Sequence, residues 1–125
     1  MMLKFKAFDP STCAWYQPKK VFVCDGNIYL DDEDFDGLVR NNDVFLFQST
    51  GLMDRNGKEI FEGDVLRGND GEFFYNYVYY DSDKARFMRD DAELWESVEE
   101  LEIAGNLFSN PEFKEALEYQ DRVKY

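Results

Sequence analysis

The sequence predicts a mainly β domain, β-rich α+β in class: a small twisted antiparallel sheet or a partly open SH3-like barrel, completed by a short C-terminal helix. Three observations lead there. Phe and Tyr supply 12 and 8 of the 125 residues, and such side chains favour the pleated, half-buried surface of a strand. Short apolar runs recur between clusters of Asp, Asn and Gly, the pattern of strands joined by tight turns. One helix-start signal stands near the C-terminus. No internal repeat, low-complexity tract or linker interrupts the chain, so residues 1–125 are expected to form a single domain.

The elements follow in order. Leu3, Phe5 and Ala7 alternate with Lys4 and Lys6, the period of a half-buried strand, before a turn at Asp9-Pro10-Ser11-Thr12. Cys13 to Gln17 and Val21 to Cys24 are short apolar runs separated by Pro18-Lys19-Lys20. If Pro18-Lys19 is a two-residue turn, Cys13 faces Cys24 across a hairpin. Asp25-Gly26 lies between Val21–Cys24 and Asn27-Ile28-Tyr29-Leu30. Asp-Gly favours a tight hairpin because both central residues need positive φ, and a meander is expected.

Residues 31 to 43 read as an acidic, turn-rich stretch, followed by a strand from Asp43 to Gln48. Ser49 to Gly63 reads as loop, with turns at Asn56-Gly57 and Glu62-Gly63-Asp64. Val65-Leu66-Arg67 opens a strand that turns at Asn69-Asp70-Gly71 into Glu72 to Tyr80, the strongest strand pattern in the chain. Ala85 to Met88 pairs back to it across Asp81-Ser82-Asp83-Lys84. Residues 90 to 100 hold about one helical turn, and Leu101 to Phe108 makes a last strand. Asn110 stands as N-cap, Pro111 at the first helical position and Glu112 at the positive end of the dipole. Phe113, Ala116 and Leu117 share the face that packs on the sheet.

Composition narrows the function. There are 27 acidic and 14 basic residues, net −13, with a pI near 4.3. That field repels phosphate backbones and anionic membrane surfaces, so neither direct nucleic-acid binding nor membrane binding is expected; a basic protein face would suit it. No apolar run is long enough to span a bilayer, and the start lacks a signal-peptide core. Cytoplasmic residence is the expectation. Cys13 and Cys24 lack the number and spacing of a zinc site or disulfide framework, and reduced, partly buried thiols are expected.

Three segments carry a family resemblance: Lys4-Phe5-Lys6-Ala7-Phe8-Asp9; Gln48 to Leu66, containing T-G-L-x-D-x-N-G-x-x-I-x-E-G-D; and Leu101 to Glu112. In order and spacing they resemble the YopX family, small proteins encoded mainly by bacteriophages and prophages. The resemblance implies a mostly β domain of phage origin working in the bacterial host cytoplasm. It implies no established activity, and no catalytic residue carries over. Within the middle segment, Gly51, Gly57 and Gly63 suit positive-φ positions, while Asp54, Asn56 and Asp64 can accept nearby backbone amides. Turn chemistry accounts for these residue types. The same loop, with Glu62, is also the candidate site for gripping a partner.

With no His in the chain, histidine triads and histidine metal sites are excluded. No phosphate-binding or dinucleotide glycine motif is present. Asp32-Glu33-Asp34-Phe35-Asp36-Gly37 through Asp43 reproduces the spacing of an EF-hand calcium loop, with Asp32, Asp34, Asp36 and Asp43 as ligand candidates. The closing residue is Asp instead of Glu, Arg40 brings a positive charge, and the flanks read as strands, so no metal is expected. Glu62 with Asp64, or Asp81 with Asp83, would hold magnesium only with partners that the sequence does not supply. Tyr75, Tyr77 and Tyr79 share a sheet face and read as core or interface.

The sequence thus points to a non-catalytic module, without cofactor or small-molecule substrate, that binds a protein partner or copies of itself. Two alternatives remain open at this point. One is an acidic DNA mimic directed at a host DNA-binding enzyme; the other is a metal-dependent enzyme using the carboxylates.

Overall fold

The computed structural model describes residues 4–32, 37–68, 75–89, 92–93 and 100–124, with backbone alone at 92–93 and 119–124. The strands are β1 (Phe5–Asp9), β2 (Ala14–Tyr16), β3 (Val21–Cys24), β4 (Asn27–Asp31), β5 (Leu38–Arg40), β6 (Phe45–Met53), β7 (Glu59–Phe61), β8 (Asp64–Arg67), β9 (Tyr75–Asp81), β10 (Arg86–Arg89), β11 (Ala92–Glu93) and β12 (Glu102–Asn106), followed by helix α1 (Glu112–Lys124). The fold is mainly β, its sheets are antiparallel, and one sheet curls into a half-barrel. The fold class expected from the sequence is the one observed. The expected turn at Asn69-Asp70-Gly71 and the start of the long strand at residues 72–74 lie outside the described residues, as does most of the stretch 90–100 expected to hold one helical turn; the part of it at Ala92–Glu93 is instead strand β11, paired with β10.

The chain divides into two compact units, Met1–Ser49 and Thr50–Tyr125. In the first, β1 pairs with β2 (Phe8↔Trp15) and with β6 (Lys6↔Phe47). The β1–β2 turn is held by Asp9, whose Oδ1 accepts the Ser11 amide at 2.9 Å and the Ser11 hydroxyl at 2.7 Å. Trp15 packs between Phe8 and Phe47, with ring centroids 4.8 and 5.5 Å away, and Lys6 Nζ lies 4.9 Å from its ring. Strands β3, β4 and β5 form a separate sheet in that order. Its first turn is the expected one: Asp25 and Gly26 have φ of 50° and 75°. The core comprises Ala7, Leu30 and Val44, with Tyr16, Val21, Ile28 and Leu46 packed against them.

Two expectations change here. Pro18–Lys20 is a 3-10 turn, so β2 pairs with β1 and β3 with β4. Proline is locked near φ −65° and cannot take the positive φ that a two-residue hairpin demands. Cys13 and Cys24 are therefore not hairpin partners, and both are free and exposed instead of partly buried. The stretch 31–43 is also less loop-like than expected, because Leu38–Arg40 forms β5.

In the second unit the sheet order is β11-β10-β9-β8-β12. Leu66 opposes Asn76 and Ile103, so one face carries Leu66, Val78 and Ile103. That face packs with Ile60, Leu101, Leu52 and Phe87 to make the core. Val65 and Tyr77 mark the other face, where Phe113 of α1 lies 5.1 Å from Tyr75. Phe113, Ala116 and Leu117 are half-buried while Lys114, Glu115 and Glu118 are exposed, so the expected helical face is the one that packs.

The expected loop from Ser49 to Gly63 is largely a hairpin. β6 continues to Met53, and β7 follows it as neighbour. The polar run Gln48-Ser49-Thr50-Gly51 concealed a strand because its polar groups are satisfied within the fold; Thr50 Oγ1 donates to the Ile60 carbonyl at 2.7 Å.

Candidate functional site

The middle motif is the natural starting point, since it holds seven candidate residues. Gly51 has φ +78° inside β6, and Gly57 has φ +78° at the β6–β7 turn. Asp54 opens that turn. Its amide donates to the Lys58 carbonyl, and its Oδ1 accepts the amides of Asn56 and Lys58 at 2.8 and 2.9 Å. Its Oδ2 accepts the amide of Ile103 in β12 at 2.9 Å. Asp54 is 5% exposed. Burial alone would raise its pKa, but these three amides and the nearby Lys58 charge outweigh burial and hold it below the ordinary value.

Asp64 serves the next turn in the same way. It is 2% exposed, its Oδ2 accepts the Phe61 amide at 2.9 Å, and its Oδ1 accepts from Asn106 Nδ2 at 3.5 Å. Gly63, at φ +87°, donates to the Val78 carbonyl and accepts from the Leu107 amide. The candidate loop thus separates into two kinds of residue. Asp54, Gly63 and Asp64 are buried scaffold; Asn56 and Gly57 are exposed, with Glu62 partly so.

The third motif segment is equally structural. Glu102 accepts hydrogen bonds from Arg55 at 2.7 Å and from Arg67, and both arginines hold its pKa below the ordinary value. A Cβ on Gly105 would stand 2.5 Å from Asn110 Oδ1 and 2.6 Å from Phe113 Cε2. Asn110 does not cap the helix with its side chain. Its Oδ1 accepts the Asn106 amide at 3.2 Å, and its backbone carbonyl accepts the Phe113 amide. The role of Gly105, a close approach of helix to strand, was not foreseen from the sequence; an Ala-Gly-Asn run inside a strand pattern was the available signal.

The EF-hand spacing does not correspond to a helix–loop–helix. Asp32 follows β4, and Leu38–Arg40, which would be the second half of the loop, pairs in register with β4: Leu30↔Val39 and Tyr29↔Arg40. Asp43 lies beyond that strand, its amide donating to Asn41 Oδ1 at 3.0 Å. Asp34 and Asp36 lie outside the described residues. Among the described residues no three Asp, Glu or Cys side chains are grouped to hold a metal ion. Of the magnesium pairs, Asp64 is engaged as above, and Asp81 Oδ1 accepts the amides of Asp83 and Lys84 in the β9–β10 turn.

Tyr75, Tyr77 and Tyr79 are half-buried on one face of β9, the rings of Tyr77 and Tyr79 stacked 6.1 Å apart. Burial, with the Glu62 charge, raises Tyr77 above its ordinary value.

One surface escaped sequence reading. Phe22, Tyr29 and Arg40 stand opposite one another across β3, β4 and β5, and Leu38 pairs with Asp31 beside them. Phe22 is 45% exposed and Leu38 52% exposed. The signal was available in Val21-Phe22-Val23-Cys24, which is apolar on both faces although a small sheet has only one core to cover.

Comparison with known proteins comes to three findings. The profile of the family described as YopX protein matches residues 4–115. The crystal structure of protein EF1440 from Enterococcus faecalis superposes with a TM-score of 0.67 at 22% identity, covering 90% of this chain and 98% of that one. No curated protein matches. No helix among the described residues is long and apolar enough to cross a membrane.

Proposed function

The chain belongs to the YopX family, and on that footing we propose that it is a phage or prophage accessory protein, a non-catalytic module that binds another protein in the bacterial cytoplasm. One contrast carries this reading. The carboxylates best placed by the motif, Asp54 and Asp64, are buried and occupied with backbone amides, whereas Phe22 and Leu38, on one face of the small β3–β4–β5 sheet, are turned to solvent. Clustered exposed apolar groups are what a binding surface requires. The test is a tagged pull-down from host lysate, with and without nuclease, against an unrelated acidic bait. A single host protein that survives nuclease and moderate salt supports the module; recovery of nothing above the bait control counts against it.

A second reading rests on charge. Residues 25–43 hold seven carboxylates and one Arg, a density suited to imitating DNA before a host DNA-binding enzyme. Mimicry predicts an enzyme released by moderate salt, because exposed charges are screened within about 8–10 Å at such ionic strength.

A further inference from the structure

We propose that the outer face of the β3–β4–β5 sheet, centred on Phe22, Tyr29, Leu38 and Arg40, docks a protein segment that carries apolar side chains flanked by lysine or arginine; this rests on the protein-binding reading above and gives it a place and a partner chemistry.

The register divides the side chains between two faces, of which the one with Leu30 meets the core although Val23 and Val39 on it are exposed. Val21, Leu30 and Val39 oppose one another on one face, and Leu30, 2% exposed, belongs to the core with Val21 and Ile28 beside it. Phe22, Tyr29 and Arg40 occupy the alternate positions, as does Leu38, two residues from Arg40. A solvated outer face ordinarily carries polar residues. Here it carries two aromatics and a leucine, with Phe22 and Leu38 about half exposed, at 45% and 52%. Aromatic residues and arginine are also the types enriched where binding energy concentrates.

Charge selects the occupant. Asp31 sits on this face opposite Leu38, Asp25 lies at the turn beyond Phe22, and the described residues of 25–43 have a single Arg against four carboxylates, Asp25, Asp31, Asp32 and Asp43. A second copy would bring its own net −13 against that rim. A basic segment would be drawn to it, and Arg40 would remain to donate to one carbonyl or carboxylate of the bound chain. Size selects a segment over a domain. Three strands of three to five residues present a surface about 10 Å wide and 10–17 Å long, enough for one strand or about two helical turns. Such an interface falls below the usual stable size, so binding in the micromolar range is expected.

The test titrates the isotope-labelled full chain with a short synthetic peptide of alternating leucine and lysine. An all-lysine peptide and a leucine–glutamate peptide serve as comparisons. The expected result is saturable binding of the leucine–lysine peptide alone, with amide shifts concentrated in residues 21–31 and 38–40. The Phe22→Ser/Leu38→Ser double variant should bind about tenfold or more weakly at an unchanged melting temperature, while Met53→Ser, which alters an exposed side chain of the other unit, should bind as the parent does. The shift map needs no variant, so a double variant that folds poorly leaves the question decidable. Absence of binding, equal affinity for the all-lysine peptide, or shifts lying elsewhere would overturn the proposal. A dimer in sedimentation that dissociates in the double variant would also overturn it, assigning the face to a second copy. If a lysate partner stays bound to the double variant, this surface is wrong while the binding-module reading stands.

Discussion

The Asp54 carboxylate accepts the Ile103 amide at 2.9 Å across 49 residues of sequence, while its other oxygen closes the β6–β7 turn. One short side chain therefore forms a local turn and ties that turn to β12. The Arg55 amide, donating to the Leu101 carbonyl at 2.7 Å, reinforces the same junction.

Asp54→Ala leaves three amides without their acceptor and is expected to cost about 3 kcal/mol. Asp54→Asn keeps one carbonyl oxygen and is expected to cost about 1–2 kcal/mol. Urea denaturation of both variants checks the order; equal and negligible losses would remove Asp54 from the scaffold.

Acid should destabilise the protein through its depressed carboxyls. Hydrogen bonds from Ser11 lower Asp9, those from Arg67 and Arg55 lower Glu102, and the amides around Asp54 overcome its burial. The unfolded chain therefore takes up protons first as pH falls. The stability these groups confer is complete above the ordinary carboxyl range and is lost through and below it. With 0 His, the denaturation midpoint should be nearly flat between about pH 5.5 and 7.5 and fall below about pH 4.5. Asp54→Asn should flatten the acid limb. At the other extreme Tyr77 is raised, so its contribution is present below the ordinary tyrosine range and is lost as pH rises above it. Ultraviolet titration should show one tyrosine ionising after the exposed ones.

Gly105→Ala tests the approach of α1 to β12. The new methyl meets Asn110 Oδ1 and Phe113 Cε2 at 2.5 and 2.6 Å, for an expected loss of about 1–3 kcal/mol. The loss should shrink in an Asn110→Ala background, since the clash is partly with that side chain. Gly57→Ala meets nothing within 4 Å, and its expected cost of about 1 kcal/mol comes from φ +78° alone.

Cys13 and Ala85 hold φ of 57° and 53°, where an L side chain is strained. Ala85→Gly should therefore be neutral or stabilising by up to about 1 kcal/mol, a reversal of the usual sign for that substitution. Cys13 and Cys24, both exposed and free, should react with a thiol reagent in the native protein without denaturant. Failure of both to react would contradict their being free and exposed.

Legibility followed the range of the interactions. The Asp25-Gly26 hairpin was readable because two adjacent residues encode it. The helix face of Phe113, Ala116 and Leu117 was readable because its period is local. The motif's Asp and Gly residues were readable as turn formers, yet the partner of Asp54 was not, since Ile103 arrives from a distant strand. β6 was cut short at Gln48 because Ser49 and Thr50 look like loop until Ile60 supplies an acceptor.

The sequence by itself determined the class of fold, the absence of histidine chemistry, the net negative charge and the positions of the tight turns, all properties of composition or of neighbouring residues. Only the tertiary structure decided which carboxylates are scaffold, that Cys13 and Cys24 lie on different hairpins, and that Phe22, Tyr29 and Leu38 face outward. Strand alternation divides residues into two faces, but the choice of the buried face is made by what packs against it. Here Ala7 and Val44 pack with Leu30, and the aromatic face is left to solvent.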